Sequence, residues 1–443
     1  MNTPIIDFLE KYNKNNPARF HMPGHKGKIL GCEKDITEIV GADNLYDANG
    51  IIGESEKNLS SLFGTNFSVY STEGSSLSIR TMLALIKKIA SERGEKPHVL
   101  ATRNAHSSFL YGVALLDIEI EWITQENTCF FATNIDEISV EEKLRAMEIK
   151  PTALFITSPD YLGNIAPVEK IAKVCKKYGV LLAVDNAHGA YLNFLSSNIH
   201  PISLGADMCC DSAHKTLPTL TGGAYLHLGK GFNYFTKHEV KNIMKMFAST
   251  SPSYLILASL DNTNKYLFEN KDLYEKCAKR VEKVKETCIF LGFSLVGNEP
   301  LKITLDAKSF GYLGDENAEY LKEKNIYVEY FDSDYIVLMF TPLNSEEDFN
   351  RLENALSLLQ RKGPIKKKVF NSINPIKKMS IKEALFSSQE TIEIDSAKGR
   401  ILASVNLSCP PAVPILYSGE VIDDNAIEIM KYYNIDKCSV VKE

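Results

Sequence analysis

The chain has 443 residues, of which 44% are apolar, 24% are charged and one is tryptophan: the composition of an ordinary globular protein long enough for two or three packed units. A formal net charge of −6 argues against a nucleic-acid binder, whose affinity rests on neutralising phosphates, and no stretch approaches the roughly 18–20 apolar residues of a membrane span. Nine scattered cysteines without C-x-x-C spacing point to reduced thiols, not a disulfide framework or zinc site; with no signal-peptide pattern at the N-terminus, a cytoplasmic protein is expected.

In chain order, "FHMPGHKG" (20–27) comes first. His21 and His25 stand four apart, but Pro23 and Gly24 between them prevent a shared helix face, so a rigid turn is expected and no metal site. The turn "STEGSS" (71–76) opens a segment of helical apolar spacing, "SSLSIRTMLALIKKIASERG" (75–94). Gly74, Ser75 and Ser76 at its start suit either a phosphate cradle or an ordinary helix cap. "HVLATRN" (98–104) is a short strand with His106 just beyond it, where a lone histidine more often satisfies structure than serves catalysis. "TALFITSPDY" (152–161) is a further strand. "VEKIAKVCKKYG" (168–179) is an amphipathic helix stopped by glycine, and "VLLAVDNAH" (180–188) is a strand closed by Asp185. That carboxylate either starts a turn or needs a cation or hydrogen bonds.

Thirty residues beyond Asp185, "CCDSAHKTLPTLTGGAYLHLG" (209–229) carries Ser212, His214 and Lys215 near the end of another strand region. Continuous apolar strands, each followed by a helix, predict an α/β large domain whose mostly parallel sheet is buried on both faces, with ligands at the carboxyl ends of the strands. After about residue 300, "LKITLDAKSFG", "IYVEYFDSDYIVLMFTP" and "SEEDFNRLENALSLLQRKG" predict a smaller α+β unit. The basic stretch 364–379 reads as a solvated connection. "CPPAVPILYSGEVI" (409–422) is Pro-rich and strand-like, and cannot be a helix interior. The expected divisions are an N-terminal segment (1–55), a cofactor-binding large domain (56–295) and a C-terminal small domain (296–443).

A phosphate turn, a stacking residue, a strand-end aspartate and a lysine, in that order, fit pyridoxal 5′-phosphate. This cofactor needs a lysine for an imine, an anion facing its pyridinium nitrogen, a phosphate cradle and a flat group on its ring. An aspartate keeps the ring nitrogen protonated; the lysine must be unprotonated to attack a carbonyl, so burial and nearby cations are expected to depress its pKa.

"FHMPGHKG", "DITEIVGADNLYDANGII" (35–52), "RNAHSS", "TSPDYLGNIAP", "VDNAHGA", "DSAHKTLPTLTGGAYLH", "TSPSYLILASLD" (250–261) and "KGRILASVNLSCPPAVPILYSGEVI" (398–422) resemble, in order and almost end to end, the prokaryotic ornithine/lysine/arginine decarboxylase family. That family has the aspartate-aminotransferase-like fold (type I), and the chain looks like its compact form without the N-terminal wing domain. The resemblance implies that Lys215 is the Schiff-base lysine, Asp185 the pyridinium partner and His106 the ring-stacking residue. It places Gly74, Ser75, Ser76 and Ser212 at the phosphate, Ala187 beside the cofactor, and His214 near the phosphate or the imine, with Lys215, His106 and His214 as the catalytic set.

The resemblance also implies decarboxylation of arginine, lysine or ornithine in polyamine formation, and a homodimer or assembly of dimers with interface active sites. Segment 250–254 would then reach the neighbouring subunit's cofactor. Neither nucleic acid nor membrane is an expected partner. A basic substrate wants a carboxylate, for which Glu38, Asp43, Asp47 and Glu420 are candidates; arginine would favour a fork, lysine or ornithine a point charge. The chain departs from the family's habit at Glu73, at Asn186 (commonly Glu), Gly222 (Gln), Ser404 (Glu), Cys409 (Tyr) and Ala412 (Gly). These departures touch the substrate more than the cofactor. Another reaction of the same cofactor, such as transamination or elimination, and a non-catalytic relative are the alternatives, because fold does not fix chemistry.

Overall fold

The computed structural model describes residues 1–123, 132, 134–370, 374–404 and 413–443. They form two units: Met1–His98, Ile149–Ile156 and Val168–Tyr274 in the first; Val99–Glu148, Thr157–Pro167 and Glu275–Glu443 in the second. The fold is α/β, with a mostly parallel central sheet and a small antiparallel C-terminal domain.

In the first unit, strands Phe67–Ser71, Ala224–Leu228, Met208–Asp211, Leu181–Asp185 and Ala153–Thr157 lie side by side in that order. Leu181–Asp185 runs parallel to Met208–Asp211, with Asp185 opposite Cys210, while Ala224–Leu228 is antiparallel to both of its neighbours. Every residue of Leu181–Asp185, Met208–Asp211 and Ala224–Leu228 is buried, which is why these segments read as continuous apolar runs and not as alternations. Helix Gly74–Glu92 follows the first strand after two residues; at φ +69°, Gly74 takes the sharp turn that a side chain would strain. Helix Val168–Tyr178 buries Val168, Ile171, Val174 and Cys175, the stripe its spacing foretold.

Two carboxylates organise the N-terminal part. Helix Ile51–Phe63 has no side-chain cap at Gly50. Asp43, seven residues upstream, supplies one: Oδ2 accepts from the N–H groups of Gly50 (2.8 Å), Ile52 (3.0 Å) and Gly53 (3.3 Å), and Oδ1 from Asn44 and Asn49. Asp261, on helix Tyr254–Glu269, accepts from the N–H groups of Ile5 and Ile6 and from the Ser55 hydroxyl, docking helix Pro4–Lys14. A buried ion pair joins Lys241 to Glu56 at 2.7 Å, with Lys237 on the other oxygen at 2.6 Å.

The second unit contains an antiparallel sheet in the order Tyr330–Phe331, Tyr335–Met339, Lys302–Asp306, Ser294–Val296, and a ribbon of Gln389–Glu393 with Lys437–Val441. Helices Gly314–Glu323 and Glu346–Leu358 accompany the sheet. The strand expected at 409–422 is not continuous. Residues 409–412 lie outside the described residues, and the remainder makes only isolated bridges, Glu420 with Lys377 and Val421 with Ile401. Pro414 has no N–H to offer a ladder, and Gly419, at φ +90°, turns the chain. No helix among the described residues is long and apolar enough to cross a membrane.

Candidate active site

Strand Met208–Asp211 ends, the chain bends at Ser212, and a single helical turn, Ala213–Thr216, carries His214 and Lys215. Lys215 therefore sits just past a strand's carboxyl end. Its N–H donates to the Ser212 carbonyl (3.0 Å) and that of His214 to the Gly223 carbonyl (3.2 Å), which fix the turn. Lys215 Nζ lies 3.0 Å from Nε2 of His188, a buried residue three positions after Asp185. In the sequence His188 is marked only by "VDNAH", which places a second titratable group at the strand end that carries Asp185. The link to Lys215 spans 27 positions and is set by the pairing of adjacent strands.

Asp185 is buried, and Oδ1 accepts from the Ala187 N–H (3.1 Å) and the Cys210 thiol (3.4 Å). Ala187 thus acts through its main chain. Burial, and next the Asp185 carboxylate, push the Cys210 thiol well above its ordinary pKa, so it stays a donor. Ser75 stands in the first turn of the 19-residue helix, with Ser76 beside it, and the Ser212 hydroxyl donates to Ser75 Oγ at 3.1 Å. The Gly74 N–H donates to the Gly222 carbonyl (2.8 Å), bringing a third segment to the same place. Gly222 has φ +95°, and a Cβ there would meet the Thr72 carbonyl at 3.0 Å, so a glutamine would strain this turn. His214 Nδ1 donates to the Gly223 carbonyl (3.1 Å), and burial lowers its pKa, favouring the neutral ring. The Glu73 carboxylate accepts the Ser249 N–H at 2.7 Å.

Lys215, His214, Ser212, Asp185, Ala187 and Gly74–Ser76 all belong to the first unit. His106 belongs to the second, where it caps helix Ser107–Leu116 by accepting the Ser108 N–H at 3.1 Å. Three residues before it, Arg103 grips Glu420 with both terminal nitrogens (2.8 and 2.9 Å) and lies over the Tyr417 ring, on which Trp122 stacks. The Tyr417 hydroxyl donates to the Arg103 carbonyl. Glu420 is thereby committed within the protein, as Asp43 is by its backbone donors. Glu38 accepts from Asn44 Nδ2 (2.6 Å), and burial and then Asp47 raise its pKa; Asp47 is exposed. Tyr254 is buried with its hydroxyl on the Asp43 main chain, and Ser253 caps the helix, whereas Thr250 and Ser251 are exposed. Cys409 and Ala412 lie outside the described residues; Ser404 is half-buried. His21 pairs with Tyr12 and His25 with Asp35, each separately, in turn structure.

This donor set fits pyridoxal phosphate on three counts: a lysine partnered by an imidazole, a buried carboxylate at the adjacent strand end, and paired hydroxyls at a helix N-terminus. Among the described residues, one His/Cys/Asp group lies within ligating reach of itself, His200, Cys209 and Asp211, and its members hydrogen-bond one another.

Residues 3–292 match the model of the Orn/Lys/Arg decarboxylase major domain, and residues 365–439 that of the Orn/Lys/Arg decarboxylase C-terminal domain. The chain is 27% identical to the arginine decarboxylase of Bacillus subtilis over 98% of its own length and 94% of the relative's. It is 29% identical to the arginine decarboxylase of Bacillus anthracis, over 97% and 92%. In fold it is similar to the lysine decarboxylase LdcF of Francisella novicida, with a TM-score of 0.81 and 15% identity over 99% of this chain and 81% of that one.

Proposed function

That the chain belongs to the Orn/Lys/Arg decarboxylase family, and is a pyridoxal-phosphate-dependent decarboxylase, is the premise from which we propose its function: removal of the carboxylate from arginine as CO₂, leaving the corresponding amine. The observation that carries this reading is the 3.0 Å contact of Lys215 with His188, beside the strand end that holds Asp185. The choice of arginine within the class of basic amino acids is supported by the two named relatives, matched over nearly their whole length.

In this proposal Lys215 would hold the cofactor covalently through its Nζ. His188 takes or returns a proton at Lys215 Nζ, within direct hydrogen-bond reach. The Asp185 carboxylate would face the ring nitrogen and keep it protonated. Ser75, Ser76 and Ser212 would hold the phosphate at the turn that Gly74 makes, and His214 follows Ser212 by two residues. His106 is assigned the ring face, from the family resemblance. When bound, the cofactor supplies an electron sink for the pair left behind by the departing carboxylate. A second copy of the chain is part of the proposal: Phe20, Leu30 and Val40 of the N-terminal segment are 97, 95 and 102% exposed, and apolar side chains so bare support a covering partner. The proposed location is cytoplasmic.

The test is purified protein with pyridoxal phosphate and arginine, lysine or ornithine in turn, with CO₂ and amine quantified, alongside Lys215→Ala. Agmatine and CO₂ from arginine, lost in Lys215→Ala, is the expected result. A keto acid product would assign transamination instead, and turnover by Lys215→Ala would remove the lysine from its role.

A further inference from the structure

Next to the proposed cofactor residues lies a buried anion that the proposed chemistry does not use. Asp211 closes strand Met208–Asp211, directly before Ser212, and is completely buried. Four donors converge on its carboxylate. His200 Nε2 lies 3.0 Å and His227 Nε2 3.2 Å from Oδ2; Asn186 Nδ2 lies 2.7 Å and Cys209 Sγ 3.6 Å from Oδ1. His200 Nδ1 accepts the Ile202 N–H (3.3 Å), which leaves its proton on Nε2, facing Asp211; the Ser68 hydroxyl partners Nδ1 of His227 at 2.7 Å. Burial opposes a charge on Asp211, but the two imidazoles outweigh it and hold the carboxyl below the usual range. The Cys209 and Cys210 thiols and the Tyr225 phenol around it stay protonated, because burial pushes all three up. Asp185 lies beyond Cys210, whose thiol donates to it.

Asn186 links the two strand ends. It follows Asp185 directly, its N–H donates to the Cys210 carbonyl (3.0 Å), and its side-chain N–H donates to Asp211. Its Oδ1 is buried without a hydrogen-bond partner and abuts Gly189, where a Cβ would come within 2.0 Å of it. A flipped amide would set that oxygen against the Asp211 carboxylate, so the charge on Asp211 dictates which way Asn186 faces.

We propose that Asn186 and Asp211, with His200 and His227 behind them, are positioning residues: they clamp the strand end bearing Asp185 to the strand end bearing Ser212 and Lys215, and so set the geometry in which the cofactor is held. Resting on the assignment of Lys215 and Asp185 made above, the clamp extends it to residues that touch neither substrate nor cofactor. Asn186→Asp keeps the shape and removes the donor. It places two carboxylates 2.7 Å apart, which share one proton at low pH and repel when both ionise. The pair's folded pKa lies above the unfolded value, so the clamp is intact in acid and lost as pH rises through the raised value.

The test uses the full chain and pyridoxal phosphate as the probe. Cofactor dissociation constants and the visible absorbance of the bound form are measured for wild type and Asn186→Asp at about pH 5.5 and 8, with melting temperatures of the cofactor-free proteins. The expected ratio of variant to wild-type Kd is about ten or more at the higher pH and near one at the lower. A ratio near one at both, or a lower melting temperature with unchanged Kd and spectrum, overturns the proposal by leaving the network a purely structural role. Should Asn186→Asp not fold, Asn186→Ala decides: about tenfold weaker binding at both pH values supports the clamp, and unchanged binding overturns it. If wild type shows no cofactor band that Lys215→Ala abolishes, the lysine assignment falls, and the clamp with it; if that band is present and the variants match wild type, the clamp alone falls.

Discussion

Glu420→Gln is a sharp test of how the second unit is held together, because it removes a charge while keeping the shape. Three donors converge on this carboxylate: Arg103 Nη1 on Oε1 (2.8 Å), and Arg103 Nη2 (2.9 Å) and the Tyr417 N–H (2.8 Å) on Oε2. The Glu420 side chain is 6% exposed and that of Arg103 18%. If the glutamine oxygen takes the Oε2 place, two bonds survive, but the amide NH₂ then faces Nη1, donor against donor. The guanidinium stays largely buried without a counter-charge. Breaking a buried ion pair from one side costs about 3–5 kcal/mol. The Tyr417 ring, 4.4 Å from the guanidinium, and the remaining solvent contact favour the lower end, about 3 kcal/mol. At about 2–4 °C per kcal/mol for a unit of this size, the melting temperature falls by about 6–12 °C. Differential scanning fluorimetry reads this directly. A double variant, Arg103→Met with Glu420→Met, should recover most of the loss, since no buried charge remains unpaired. A single variant melting within about 2 °C of wild type, or a double variant worse than the sum of the singles, would refute the account.

Two further perturbations probe the first unit. Burial raises the Asp261 carboxyl to about 6, above its unfolded value, so its contribution to stability is full below about pH 4 and is lost as pH rises through about 6. Asp261→Asn should therefore gain on wild type by about 2–3 kcal/mol between pH 4 and 7 in urea unfolding, and parallel pH profiles would disprove this. Lys241→Met leaves Glu56 to Lys237 and the Tyr70 N–H and strips the donor from the Leu45 carbonyl; a loss of about 3 kcal/mol is expected, and a loss under 1 kcal/mol would show that the buried pair is dispensable.

What the sequence disclosed, and what it withheld, follows from the range of the forces involved. Strands buried on both faces must be apolar throughout, so Leu181–Asp185 and Met208–Asp211 announced themselves, and the first polar residues after them supply the proposed candidate site. Helix Val168–Tyr178 showed its apolar stripe and its glycine stop. His188 did not declare itself, because its importance lies in a lysine 27 residues away. Asp211 carried no signal of its own, because His200, His227 and Asn186, its partners, stand 11 to 25 residues away. Glu420 was legible as a carboxylate but not as Arg103's partner, 317 residues distant. Proline and a left-handed glycine interrupted the C-terminal stretch more thoroughly than its apolar pattern implied.

The way Asp43 reaches forward to the start of helix Ile51–Phe63 also governs where the chain can be lengthened. The arch from 43 to 50 is a fixed span: one carboxylate meets three amides along it and two more in the first turn of the helix, and Gly53 sits so close beneath that a methyl group would come within 2.1 Å of the Ala48 carbonyl. An affinity tag or linker spliced into this arch would uncouple the helix from its anchor, whereas the exposed tip at Lys230–Gly231 could take the same insertion with little disturbance.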